Sequence, residues 1–199
     1  MTVYEPQEDS YLMQEELIKY LNNIENKNIF ILDMGSGSGI QAKTCKDKGF
    51  NNILAADINP ESVKALKKQK IKVIESNLFS NIQSNQKFDL IVFNPPYLPE
   101  DKYDKNFDTT AGKYGYELII KFLKQAKPRL NKNGEILLLF SSLSKPNIIK
   151  KQAIDLGYDF KLLNKKNLFF EELNVCQLAR HTPNLHSPLD SPLKHSKPS

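Results

Sequence analysis

The chain is predicted to fold as an α/β domain: a doubly wound sheet of seven strands, mostly parallel, finished by a C-terminal antiparallel hairpin. Short apolar runs alternate with amphipathic segments, a glycine-rich turn follows the first run, and the last two runs follow each other without a helix between them. Alternating β and α units force parallel strands with right-handed crossovers, and strands joined by a short loop pair antiparallel.

Met13, Leu17, Leu21 and Ile24 recur at near-helical spacing after Asp9 and Ser10, which suit a helix cap, so a helix opens the chain. Residues 29–32 read as a buried strand, followed by the glycines, a helix over 38–48 and a second strand over 52–56. Asn59 and Pro60 supply an N-cap and a first-turn proline for a helix that turns Val63 and Leu66 inward. A third strand is expected over 71–75 and a fourth over 88–93. After a long loop to about Tyr114, Leu118, Ile119, Phe122, Leu123, Ala126 and Leu130 mark an amphipathic helix ending near Asn133 and Gly134. Residues 136–140 form a strand, 145–156 a helix stopped by Gly157, and 158–163 with 173–178 a hairpin turning over 164–167. The domain is therefore expected over 1–178. Residues 179–199, with four prolines, four serines, every histidine and no aromatic residue, are expected to be a disordered tail.

At 199 residues, 40% hydrophobic and 26% charged, the chain suits one soluble domain. It has no apolar stretch near the roughly 18 residues that span a bilayer and no signal-peptide layout at its start, so the cytoplasm is the default location. The net charge of +5 comes almost wholly from lysine, with Arg129 and Arg180 the only arginines, and reads as compositional bias rather than a phosphate track. Cys45 and Cys176 belong to no metal or disulfide pattern and read as small buried apolar residues. His181, His186 and His195 all fall in the expected tail, which leaves the domain without an imidazole base.

The segment Asp33-Met34-Gly35-Ser36-Gly37-Ser38-Gly39 lies between the first strand and its helix, where glycines let a ligand approach the backbone. Asp57 ends the second strand, placed to accept both hydroxyls of a ribose. Gly37-x-Gly39-x-x-Ala42 with an acidic residue downstream also fits a dinucleotide fingerprint, so a nicotinamide enzyme competes. Asp33 weighs against it, because a carboxylate there suits an amino-acid ammonium and repels a pyrophosphate.

Asn94-Pro95-Pro96-Tyr97 follows the fourth strand. The Asn94 side-chain oxygen and the Pro95 carbonyl can accept from a planar NH2 group, the prolines stiffen the turn, and Tyr97 offers a flat wall. A proline-rich turn that merely ends a strand would show the same residues. Adenine and glutamine are equally admissible as the NH2 bearer.

Together these residues resemble the class I S-adenosylmethionine-dependent methyltransferases, a Rossmann-like fold, and within them the HemK family of protein-glutamine methyltransferases. The resemblance is to its short archaeal and eukaryotic branch and covers residues 3–178. It rests on Val3-Tyr4-Glu5-Pro6-x-Glu8-Asp9-Ser10, 33–39, Asp57-Ile58-Asn59-Pro60, 88–97, Ala111-Gly112-x-x-Gly115 and 168–173. It implies S-adenosylmethionine as cofactor, with Asp33, Gly35, Gly37 and Gly39 holding the methionine part, Asp57 the ribose, Asn77 and Leu78 the adenine, and Ser10 reaching in from the N-terminal segment. Asn94, Pro95 and Tyr97 would face substrate. Members usually carry Asp where this chain has Asn77, whose oxygen can still accept from an exocyclic amine.

The resemblance further implies the glutamine of the Gly-Gly-Gln motif in a class I peptide release factor as substrate, and a small zinc-binding activator protein as partner. The strand over 71–75 would be a sheet edge with apolar Ile71, Val73 and Ile74, which strand addition could cover as well as flanking lysines could shield. An amide nitrogen is a poor nucleophile and a sulfonium methyl a strong electrophile, so positioning does most of the work and no histidine is required. Rival readings are an adenine-specific DNA or RNA methyltransferase, a protein-lysine methyltransferase, and a catalytically silent scaffold.

Overall fold

Strand and helix alternate as the apolar patterning dictates. The computed structural model describes residues 3–96 and 115–181. The first half holds α1 (Glu8–Asn22), β1 (Ile31–Met34), α2 (Ile40–Asp47), β2 (Ile53–Asp57), α3 (Pro60–Lys68), β3 (Val73–Glu75) and β4 (Phe88–Phe93). The second holds α4 (Glu117–Ala126), β5 (Leu130–Ser141), α5 (Pro146–Asp155), β6 (Tyr158–Asn167) and β7 (Glu172–Arg180). Among the described residues the strands form one seven-stranded sheet in the order β3-β2-β1-β4-β5-β7-β6. The pairs from β3 to β5 are parallel, and β7 runs antiparallel to both β5 and β6.

Both faces of the sheet are covered, so the central strands are apolar without alternation. Leu90 and Val92 of β4 pack with Leu12, Met13, Leu17 and Leu21 of α1 in one core. Ile91 and Phe93 pack with Ile119, Phe122 and Leu123 of α4 in the other. The two-residue period of a strand sends neighbours in sequence to opposite layers. None of the described helices is long and apolar enough to cross a membrane, and no group of His, Cys, Asp and Glu among the described residues could hold a metal ion. Cys45 and Cys176 are free and buried, as expected, and burial pushes both thiols up.

Several boundaries differ from the expectation. Strand β1 is shifted two residues toward the glycines, which brings Asp33 and Met34 into it. Helix α4 stops at Ala126 and passes through a 3-10 turn, Lys127–Arg129, so Leu130 and Gly134 belong to β5 rather than to a helix end. A Cβ on Gly134 would sit 2.6 Å from the Phe88 carbonyl, where the β4–β5 pairing shifts register; glycine there serves the close approach of two backbones. Strand β6 extends to Asn167, so the hairpin turns over 168–171 and leaves Phe169 and Phe170 exposed in an edge-to-face pair. Strand β7 runs two residues past the expected domain end, to Arg180, whose guanidinium donates to the Lys127 and Leu130 carbonyls. His181 is described too, its Nδ1 2.6 Å from an Asp159 carboxylate oxygen. The rest of the expected tail, the loop 97–114 and its Ala111-Gly112 motif lie outside the described residues.

Candidate active site

The site is built where strand order reverses. From β1 the chain passes outward through β2 to β3, then returns to place β4 on the other side of β1. Such a switch point opens a crevice at the strands' carboxyl ends. The register sets Met34 beside Phe93, so the residues that follow, Gly35 and Asn94, lead the two loops away side by side. Gly35 (φ +64°) brings its backbone against the other loop: a Cβ there would meet the Phe93 ring at 3.4 Å and the Asn94 carbonyl oxygen at 4.0 Å. The predicted cofactor turn and substrate turn thus adjoin.

The glycine turn is held by backbone bonds to β2, with Gly35 and Ser36 N–H donating to the Ala56 carbonyl at 2.7 and 3.2 Å. Gly39 (φ +84°) has a packing role, because a Cβ there would overlap Leu66 Cδ2 of α3 at 2.4 Å. The acidic residues are less free than expected. Asp33 is 3% exposed and its Oδ2 accepts the Ala42 N–H in the first turn of α2 at 3.0 Å. Asp57 is 7% exposed, its Oδ2 accepting from Gly37 N–H at 2.7 Å and its Oδ1 from Asn59 N–H at 2.8 Å. Each carboxylate oxygen retains a second lone pair for a ligand.

Burial, opposed by the Ala42 amide and reinforced by the charge of Asp57, pushes the Asp33 carboxyl up to about 7. A buried carboxyl beside a second acidic side chain favours a cationic ligand and disfavours a pyrophosphate. The donor set therefore fits S-adenosylmethionine, with its ammonium and sulfonium, better than a dinucleotide. Asn77 is exposed, its backbone N–H donating to Ser80 Oγ at 3.2 Å. Leu78 has φ +51°, with its side chain buried in the core that α4 covers.

Asp9 and Ser10 do not cap α1, which begins at Glu8 with Gln7 at its N-cap. They are buried in its first turn and face the site. Asp9 Oδ1 accepts from Tyr4 OH at 3.0 Å and from Ser10 Oγ at 3.4 Å, while Oδ2 accepts from Asn94 Nδ2 at 2.9 Å. The Ser10 carbonyl accepts from Gln41 Nε2 of α2 at 2.9 Å. The other end of the Asn94 amide, Oδ1, is buried with no hydrogen-bond partner among the described residues, and so is Gln41 Oε1. Pro95 is buried, and Tyr97 lies outside the described residues. Sequence reasoning missed the contribution of Asp9 and Gln41. The Glu8-Asp9-Ser10 signature pointed at the right segment, but only the fold joins it to Asn94.

Residues 14–158 match the family model described as the methyltransferase small domain. The chain belongs to this methyltransferase family. A Methanocaldococcus jannaschii protein that carries the provisional name protein N5-glutamine methyltransferase is 36% identical over 189 residues, covering 89% of this chain and 92% of its own. The release factor glutamine methyltransferase of Fusobacterium nucleatum is 36% identical over 107 residues, half of this chain and 30% of that longer one. Among solved structures, the E. cuniculi Mtq2–Trm112 complex, responsible for methylation of the eRF1 termination factor, aligns with a TM-score of 0.74 at 21% identity. That alignment covers 90% of this chain and 99% of the other and supports the fold.

Proposed function

We propose that this methyltransferase uses S-adenosylmethionine to methylate the side-chain amide of a glutamine, that of the Gly-Gly-Gln motif of a class I peptide release factor. One observation carries the reading: Asn94, whose backbone adjoins the glycine turn, has a buried Oδ1 acceptor with no partner among the described residues. An unmatched buried acceptor costs about 1–3 kcal/mol, which a substrate N–H would recover. When bound, the cofactor supplies an electrophilic methyl group. Asp33 and the turn Gly35, Gly37 and Gly39 hold its methionine part, Asp57 its ribose, Asn77 and the Leu78 backbone its adenine, and Ser10 borders it from α1. Asn94 Oδ1 and the Pro95 carbonyl accept the two amide hydrogens and hold the nitrogen in line with the methyl, with Tyr97 packed on the substrate side chain. On accepting the methyl group the substrate nitrogen would give up one proton, which passes to solvent. Asn94 and Pro95 therefore position; neither acts as a strong base.

Glutamine is favoured over adenine and lysine by the name of the relative that matches most of both chains, where the relative named for tRNA adenine-N6 methylation matches 62% of this chain, and by the N-terminal segment that closes on Asn94. The partner is a small zinc-binding activator added to the β3 edge, and the enzyme works in the cytoplasm. Incubating the chain with labelled cofactor and release factor, with adenine-containing oligonucleotides or with lysine-rich protein, each with and without the activator, tests this. Label on the Gly-Gly-Gln glutamine is expected. Label confined to adenine or lysine would replace the substrate assignment.

A further inference from the structure

We infer that Asp9 is a positioning residue that sets which way the Asn94 amide points, and that Tyr4 holds Asp9 for that task; this rests on Asn94 as the acceptor of the substrate amide. A primary amide has two ends of nearly equal size and opposite polarity. Rotating the Asn94 side chain by half a turn would present N–H to a reacting nitrogen that itself offers only N–H. The two prolines that follow fix the backbone of the turn and leave this rotation open.

Asp9 closes it. Its Oδ2 accepts from Asn94 Nδ2 at 2.9 Å. A carboxylate has no donor, so the rotated amide would set oxygen against oxygen at that separation. Tyr4 OH and Ser10 Oγ both donate to Oδ1, at 3.0 and 3.4 Å, leaving Oδ2 for Asn94. Tyr4 packs over the glycine turn, its Cβ 3.8 Å from where a Gly37 Cβ would stand, and Gln41 ties the Ser10 carbonyl to α2. The first turn of α1 thereby links the cofactor turn to the substrate turn. The orphaned Oδ1 is what this orientation produces.

Asp9→Asn tests the idea, because an amide at position 9 can pair with either orientation of Asn94. Turnover is expected to fall roughly 10- to 100-fold, with peptide KM and cofactor Kd within about threefold of wild type, the pattern of lost alignment rather than lost binding. A purely structural role would lower the melting temperature and move Kd instead. Asn94→Asp sets two carboxylates together and should be nearly inactive; combining it with Asp9→Asn restores a donor–acceptor pair and should recover about tenfold. Turnover of Asp9→Asn within about threefold of wild type, or no recovery in the double variant, overturns the assignment.

The Asn94 side-chain NH2 resonances, identified by their loss in Asn94→Ala, provide a readout that needs no substrate. They should shift on Asp9→Asn and on Tyr4→Phe, the latter serving should the first variant not fold. Unchanged resonances overturn the inference whatever the enzyme methylates. Resonances that shift in the variants, together with a wild-type chain that leaves glutamine unmethylated, would sink the substrate reading instead.

Discussion

Asn94 is useful because its two ends are treated differently: the nitrogen is spent on Asp9 and the oxygen is unpaired among the described residues. Asn94→Ala should therefore cut turnover by about 100-fold or more while cofactor Kd stays within about threefold, measured by single-turnover transfer and calorimetry. Asp33 gives a pH signature. Its carboxyl is raised from 3.8 to about 7 in the folded chain, so the folded state holds this proton more tightly than the unfolded one. Its contribution to stability is thus full below about pH 4 and is lost as pH rises toward 7. A cationic cofactor favours the ionised form, so its binding expels the proton. Affinity should rise several-fold from about pH 6 to about pH 7.5, with proton release visible when calorimetry is repeated in buffers of different ionisation enthalpy. Asp33→Asn should flatten that profile; an unchanged slope would remove Asp33 as its source. At this scale the sequence named Asp33, Gly35, Asp57 and Asn94 in their places, because each ends or follows a buried strand. It misjudged Asp9 as a cap, since a carboxylate near a helix start looks the same whether it caps or faces a residue 85 positions away.

Helices and strands recovered from the pattern share one weakness, their ends. Asn59 caps α3 as expected, its side chain accepting from Glu61 N–H at 3.0 Å, because N-cap chemistry is local. The end of α4 and the start of β5 were misplaced because Leu130 fits a helical stripe as well as a strand, and only pairing with Phe88 of β4 decides. Gly39 shows how an element depends on its neighbour. Gly39→Ala would force a Cβ into Leu66 at a left-handed backbone and should destabilise the fold by about 2–4 kcal/mol, read from the denaturant midpoint. A loss below about 0.5 kcal/mol would show that α3 yields easily.

Across the whole molecule the sheet has two unlike edges. Strand β6 is long and lysine-rich, whereas β3 is three residues with Val73 and Ile74 only partly covered. The Lys72 carbonyl and Ser76 N–H bond to β2, so by alternation Val73 and Glu75 direct their backbone groups outward. If the activator adds a strand there, Val73→Pro should abolish co-purification while leaving the melting temperature of the free chain within about 2–4 °C. Retained co-purification would place the partner elsewhere. The adjacency of Gly35 to Asn94 is likewise a property of the whole sheet, set by β1 lying between β2 and β4.

Period and punctuation along the chain determined the α/β alternation, the glycine turn after β1 and the amide turn after β4, because these depend on residues within a few positions of one another. Tertiary structure alone decided that Asp33 and Asp57 are already engaged by backbone N–H groups, that Asp9 grips Asn94, and that Oδ1 is left without a partner. Such hydrogen bonds join residues tens of positions apart, and which of two polar ends is satisfied depends on what the folded neighbours offer, a quantity that no local pattern carries.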